Sequence, residues 1–224
     1  MRKSIWLPVC IVLAITAVML NYNRAEGLSD LVAHKKKSGK ITADVYLDGD
    51  IIFQSSNSRQ CEAVKLATHS EFSHVGMITI QNGKCYVLEA VEPVCLTPLD
   101  QWIARGTGSH YTIMRLKDRD KYILPSEIPL AQKTGKAMLG THYDSYFGWS
   151  DEQLYCSELV WKVYKRGFDV ELCPLRKMKD FDLSSPEVKA IMKQRYGNNP
   201  PLEEQVVAPS DLSDSEMLYV VEAK

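Results

Sequence analysis

The stretch FSHVGMITIQNGKCYVLEAV, residues 72–91, constrains the fold more than any other part of the chain. Asn82-Gly83 lies between two runs rich in β-branched and aromatic residues, the strongest short-range signal for two antiparallel strands joined by a two-residue turn. With Gln81 and Lys84 flanking the turn, Ile78 faces Val87, Gly76 faces Glu89 and His74 faces Val91. Side chains alternate along a strand, so His74, Gly76, Ile78, Ile80, Cys85, Val87, Glu89 and Val91 share one face. Glu89 is then the diagonal neighbour of His74, about 7–8 Å away between backbones, a gap that a carboxylate and an imidazole can close. Gly76 is expected to leave room beside them. A His and a Glu at one end of a hairpin are either a surface pair or parts of a site.

The chain of 224 residues, 45% hydrophobic and 25% charged, suffices for one good-sized domain or two small ones. A net charge of −1 gives no electrostatic case for binding nucleic acid. The N-terminus is ordered like a secretory signal: Arg2 and Lys3 precede an uncharged, mostly apolar run from Ser4 to about Leu20. Residues 1–25 are therefore expected to be a signal peptide or an N-terminal anchor, and residues 26–224 one exported domain, placed in the periplasm or cell envelope with a membrane tether open to it. Cys10 falls in the signal, which leaves Cys61, Cys85, Cys95, Cys156 and Cys173, an odd number, so at least one thiol has no intrachain partner. No Cys-x-x-Cys or His/Cys cluster has metal-ligand spacing, so neither a metal nor another cofactor is expected.

The rest of the chain reads as a succession of short elements. Residues 28–39 suggest a helix ending in the basic run Lys35–Lys37, Tyr46–Phe53 a turn entering a buried strand, and Ser58–Thr68 a helix capped by Ser58. After the hairpin come a Pro-containing connection carrying Trp102 and a strand at Tyr111–Leu116. Residues 126–139 read as a helix stopping at Gly140. A Ser185-Pro186 helix start and a strand over Met217–Val221 follow, and this C-terminal part is expected along one wall of a cleft.

The segment GTHYDSYFGWSDEQLYCSELVWKVYKRG, residues 140–167, places Cys156, Leu159, Val160, Val163 and Tyr164 at helical spacing, with Gly167 as terminator and Ser150 or Asp151 as cap. Cys156 then sits in the first turn, where free amide N–H groups and the positive end of the helix dipole stabilise a thiolate. Such a Cys is either a small core residue or a nucleophile. A Cys at a helix start, a His on a strand and a carboxylate on the next strand are together the attacker, base and orienter of an activated thiol.

FSHVGMI, YVLEAV and YCSELVWKVY, with DGDIIF upstream, GTHYDSYFGWSD between them and FDLSSPEV and RYGNNPPLEEQVVAPSDL after, closely resemble the YiiX/YebB-like bacterial proteins of the permuted NlpC/P60 (papain-like) superfamily. The resemblance covers nearly all of the chain beyond the signal. It implies an α+β, circularly permuted papain-like fold, an antiparallel sheet packed against helices. It implies Cys156 as nucleophile, His74 as base and Glu89 as the residue orienting it. The implied reaction is acyl transfer to water through a thioester, with the Cys156 N–H as one oxyanion donor. Tyr46, Gln54 and Tyr155 are candidates for the second donor. Tyr143 and Asp144 are candidates for shaping the substrate cleft or packing its loop. His69, His110 and His142 lack a carboxylate at a derivable spacing. Export and the resemblance favour an amide in cell-wall peptides. A lipid or acyl substrate of the lecithin:retinol acyltransferase type is the second enzyme reading, and an idle envelope ligand-binding protein is the non-enzymatic one.

Overall fold

The computed structural model describes residues 45–224; the signal or anchor segment, Cys10 and the helix expected over 28–39 lie outside the described residues. In chain order the first half comprises strand β1 (Ile51–Gln54), helix α1 (Arg59–Thr68), strands β2 (His74–Gln81), β3 (Lys84–Glu89) and β4 (Cys95–Pro98), helix α2 (Leu99–Arg105) and strand β5 (Thr112–Leu116). The second half continues with helices α3 (Arg119–Tyr122) and α4 (Ile128–Ala137), strands β6 (His142–Tyr143) and β7 (Gln153–Leu154) and helix α5 (Cys156–Phe168). Strand β8 (Arg176–Lys177), helix α6 (Pro186–Tyr196), strand β9 (Gln205–Val206), helix α7 (Pro209–Ser213) and strand β10 (Leu218–Ala223) complete it.

Six strands form one antiparallel sheet in the order β10-β5-β1-β2-β3-β4. The hairpin has the expected register, with Gln81 opposite Lys84 and Ile78 opposite Val87, because Asn82 and Gly83 both take the positive φ that a two-residue turn requires. Alternation gives the sheet two buried faces. Ile51, Phe53, Val75, Met77 and Leu88 pack against Leu159, Val160, Val163 and Tyr164 of α5, while Ile52, Ile78, Val87 and Ile113 pack against Leu99 and Trp102 of α2. This is the α+β arrangement expected, helices against an antiparallel sheet.

Four local expectations need correction. The connection carrying Trp102 contains a strand and a helix, and Leu99, Trp102 and Ile103 supply the apolar spacing of α2. The α5 helix runs past Gly167 to Phe168 and ends on Asp169 in the left-handed region. Gly167 is a contact glycine, since a Cβ there would lie 2.7 Å from the Ala131 Cα of α4. Gly76 makes room for its sheet neighbour, as a Cβ would meet Val87 at 2.3 Å. Lastly, α5 is not capped by Ser150 or Asp151: its N-cap is Tyr155, and those two residues bind the amine of Lys162 instead.

Candidate active site

Cys156 is the first residue of α5, buried, with the amides of the first turn lacking acceptors within the helix. The start of the helix is fixed by Glu158, whose carboxylate accepts from the Tyr155 N–H at 3.3 Å and pairs with Lys162 at 2.7 Å. A side chain at this position meets the positive end of a four-turn dipole.

His74 opens β2, so its ring stands at the end of the sheet. Its Nε2 is 2.7 Å from Glu89 Oε2, the diagonal contact that the hairpin register implies. A carboxylate only accepts, so Nε2 carries a proton and Nδ1 is left for the Cys156 sulfur. The ring stacks on Trp102 at 5.9 Å between centroids. Burial opposes its charge most strongly, but the Cys156 thiolate and Glu89 more than reverse this and push its pKa up to about 10. Cys156 and His74 are thus neighbours, with the imidazole held toward its charged form.

Glu89 is fully buried and holds four partners. Besides His74 it accepts from Thr97 Oγ1 at 2.5 Å, Trp102 Nε1 at 3.0 Å and Arg105 Nη2 at 2.6 Å to each oxygen. Burial alone would raise its pKa; hydrogen bonds and charge from His74, Arg105 and Thr97 reverse that and lower it to about 2. Thr97, Trp102 and Arg105 belong to the stretch read from sequence as a plain connection, and were missed for that reason. The spacing of Leu99, Trp102 and Ile103 after Pro98 was the signal available.

The remaining candidates separate clearly. Tyr143 lies beside Cys156 in a shared cavity. Its hydroxyl accepts from Gln60 Nε2 at 2.9 Å, which leaves its own proton free, and burial followed by the charge of Cys156 raises its pKa. Tyr155 is buried with its hydroxyl accepting from the Val207 N–H at 3.1 Å, so it anchors the helix start. Asp144 packs its loop, accepting from the Tyr146 and Gly148 N–H groups at 2.7 Å each. Gln54 is buried opposite His74 on β1, with Oε1 turned toward Gly106 and unpaired. Tyr46 is corrected as an oxyanion candidate: its hydroxyl donates to Glu222 in the core on the α2 face of the sheet. His69 and His142 do have carboxylates, Asp182 at 3.2 Å and Glu92 at 2.6 Å, but both pairs are exposed.

A residue that sequence reading passed over is Cys61 on α1. Its sulfur is 3.0 Å from Ser56 Oγ. Burial raises its pKa, but the hydroxyls of Ser56, Ser58 and Ser73 and the charge of His74 bring it below the usual thiol value. All five cysteines of the described residues are free.

The cavity beside Cys156 has a volume of about 830 Å³, counting its open mouth. Its walls come from α1, α6, the loop bearing Phe147, and the strand and helix around Val206 and Pro209.

Residues 45–222 match the family described as "Permuted papain-like amidase enzyme, YaeF/YiiX, C92 family". The chain is 49% identical over 173 residues to the Escherichia coli (strain K12) "Uncharacterized protein YiiX", covering 77% of this chain and 84% of that one. It is also similar to the crystal structure of "metalloprotein yiiX" from Escherichia coli O157:H7, with a TM-score of 0.76 and 45% identity over 80% of this chain and 98% of that one. Here, among the described residues, no three His, Cys, Asp or Glu side chains converge to hold a metal, and the oxygens of Glu89 are already engaged by its four partners. The extent of these matches, over the same sheet and helices that carry Cys156, His74 and Glu89, establishes that the chain belongs to the permuted papain-like amidase family of YaeF and YiiX.

Proposed function

We propose that the protein is an exported cysteine amidase of the cell envelope, in which Cys156 attacks a carbonyl carbon, His74 shuttles the proton and Glu89 orients the imidazole. The observation that carries this reading is the unbroken chain of contacts from the helix-start thiol through His74 to a buried carboxylate held ionised by four donors. The thiolate adds to the carbonyl, and the oxyanion meets the Cys156 N–H and the free proton of Tyr143. His74 then protonates the departing amine from Nδ1 as the C–N bond breaks. A water, deprotonated by His74, hydrolyses the resulting thioester and restores the thiolate–imidazolium pair.

Of the substrate classes expected from sequence, a wall peptide brings several carboxylates to the site. The cavity lining has one charged side chain among the described residues, Arg195, already bonded to Gln60 and stacked 4.9 Å over Phe147. Support for the peptide class therefore rests on export and family resemblance, and support for a lipid or acyl class on the lining.

The test is intact-mass analysis after mixing with an activated acyl amide. Wild type accumulates one acyl adduct on Cys156; Cys156→Ser accumulates none; Tyr143→Phe still acylates but more slowly, by about 10²-fold, the typical cost of losing one oxyanion donor. An adduct on another residue, or one unaffected by loss of His74, overturns the assignment.

A further inference from the structure

The hydroxyl of Tyr143 ends a chain of hydrogen bonds that runs away from Cys156. Gln60, the second residue of α1, has its Nε2 2.9 Å from the Tyr143 oxygen, and Arg195, in the last turn of α6, has its Nη2 2.5 Å from Gln60 Oε1. The direction of this chain is fixed from its far end. A guanidinium only donates, so the Gln60 amide must turn its oxygen to Arg195 and its NH₂ to Tyr143. With the amide turned over, two donors would meet at Arg195, and the Tyr143 proton would be committed to Gln60 Oε1. Both ends are held: the guanidinium of Arg195 lies 4.9 Å from the centroid of the Phe147 ring, and the Tyr143 N–H donates to Glu92 Oε2 at 2.8 Å. Burial, then the charge of Cys156, raises the pKa of the phenol, while the Gln60 hydrogen bond and the Arg195 charge pull it down, the sense that strengthens its O–H as a donor.

We propose that Arg195 is a positioning residue: by setting the Gln60 amide it keeps the Tyr143 proton directed at the carbonyl oxygen of the acyl group that Cys156 attacks. The inference rests on the hydrolase reading and extends its oxyanion hole to two residues that act through Tyr143. No proton leaves the phenol. Its O–H donates to the oxygen as the C–S bond forms and the carbonyl π pair moves onto that oxygen, and again when water adds to the thioester. Gln60 and Arg195 come from distant parts of the chain, and α1 packs against α6, so the donor is aimed only once these two helices have come together.

The test compares two reactions of Cys156 in the full chain, each located by peptide mass mapping: acylation by p-nitrophenyl acetate, which passes through an oxyanion, and alkylation by iodoacetamide, which does not. In the ratio of their rates, differences in folding and in thiolate population cancel. Gln60→Glu presents a carboxylate that can only accept, and Arg195→Glu draws the Gln60 NH₂ to itself and turns the amide oxygen to Tyr143. Each is expected to lower the ratio by about 10²-fold, the typical cost of one oxyanion donor, as Tyr143→Phe does. Arg195→Lys keeps a donor and recovers most of that loss. In the Tyr143→Phe background neither Gln60→Glu nor Arg195→Glu lowers the ratio further. A wild-type ratio in Gln60→Glu and Arg195→Glu, with Tyr143→Phe lowered, overturns the role of Arg195 and leaves the hydrolase standing. An undiminished loss from Arg195→Glu in the Tyr143→Phe background does the same, because the effect then bypasses the phenol. Absence of Cys156 acylation in the wild type overturns the hydrolase reading and the inference with it.

Discussion

Glu89 shows why a buried charge is tolerable here: the carboxylate has no exposed surface, yet each oxygen accepts at least two hydrogen bonds, and one donor is a guanidinium. Removing its charge while keeping its shape isolates what it does for His74. In Glu89→Gln one influence holding the imidazolium is lost, so the alkaline limb of the pH–rate profile moves to lower pH and kcat/KM falls by about 10²-fold or more. Stability follows the same pair. His74 has its pKa raised from 6.5 to about 10, so its stabilisation is fully present below pH 6.5 and is lost as pH rises toward 10. Glu89 has its pKa lowered from 4.5 to about 2, so its contribution is present above pH 4.5 and is lost as pH falls toward 2. Thermal melts between pH 6.5 and 10 should therefore show wild type losing more Tm than His74→Gln; parallel losses would mean that the pair contributes nothing to the pH dependence. At this scale the sequence was legible where a turn fixed the register, which put His74 diagonal to Glu89. It was not legible where partners come from elsewhere: nothing near Glu89 in the chain announces Arg105, and hydrogen bonds committed across the sheet removed Tyr46 from the site.

Helix α5 is positioned as much by glycines as by its apolar face. Gly135 of α4 admits Leu88, whose Cδ2 would lie 2.6 Å from an added Cβ, and Gly167 of α5 admits the backbone of α4 at Ala131. These close approaches hold α5 against the sheet and hence Cys156 against His74. Gly167→Ala sets a gain in helix propensity of up to about 1 kcal/mol against overpacking of about 1–3 kcal/mol. The nearest atom is backbone Cα, which cannot rotate away, so overpacking wins. Urea denaturation should show a lower midpoint with unchanged slope; an equal or higher midpoint would mean that the two helices separate freely. Sequence reading found α5 from its period and α1 from the Ser58 cap, which accepts from the Cys61 N–H at 3.1 Å. It took Gly167 for a stop signal because glycine after a periodic run has two uses, ending a helix or letting a neighbour approach, and only the packing partner tells them apart.

For the whole molecule, the permuted order sets the division of labour. The chain builds the sheet with His74 and Glu89 first, adds the nucleophile on α5, and then uses residues 178–209 to wall the cavity that α1 begins. Of the cavity lining, Cys156, Tyr155 and the cleft candidate Tyr143 were legible in the sequence, while the walls from α1 and α6 were not, since they join segments more than a hundred positions apart. The central claim is narrower: Cys156 is a nucleophile activated by His74. It is tested most directly by the pH dependence of iodoacetamide alkylation, with the modified cysteine located by peptide mass mapping, in the otherwise wild-type chain and in His74→Ala, each carrying Cys61→Ser so that the thiol whose pKa is lowered by Ser56, Ser58 and Ser73 does not contribute. The account predicts rapid labelling of Cys156 at about pH 6, well below the range of ordinary thiols, and at least about tenfold slower labelling without His74. Labelling of Cys156 that is no faster than that of Cys95, or that is indifferent to His74, would contradict it.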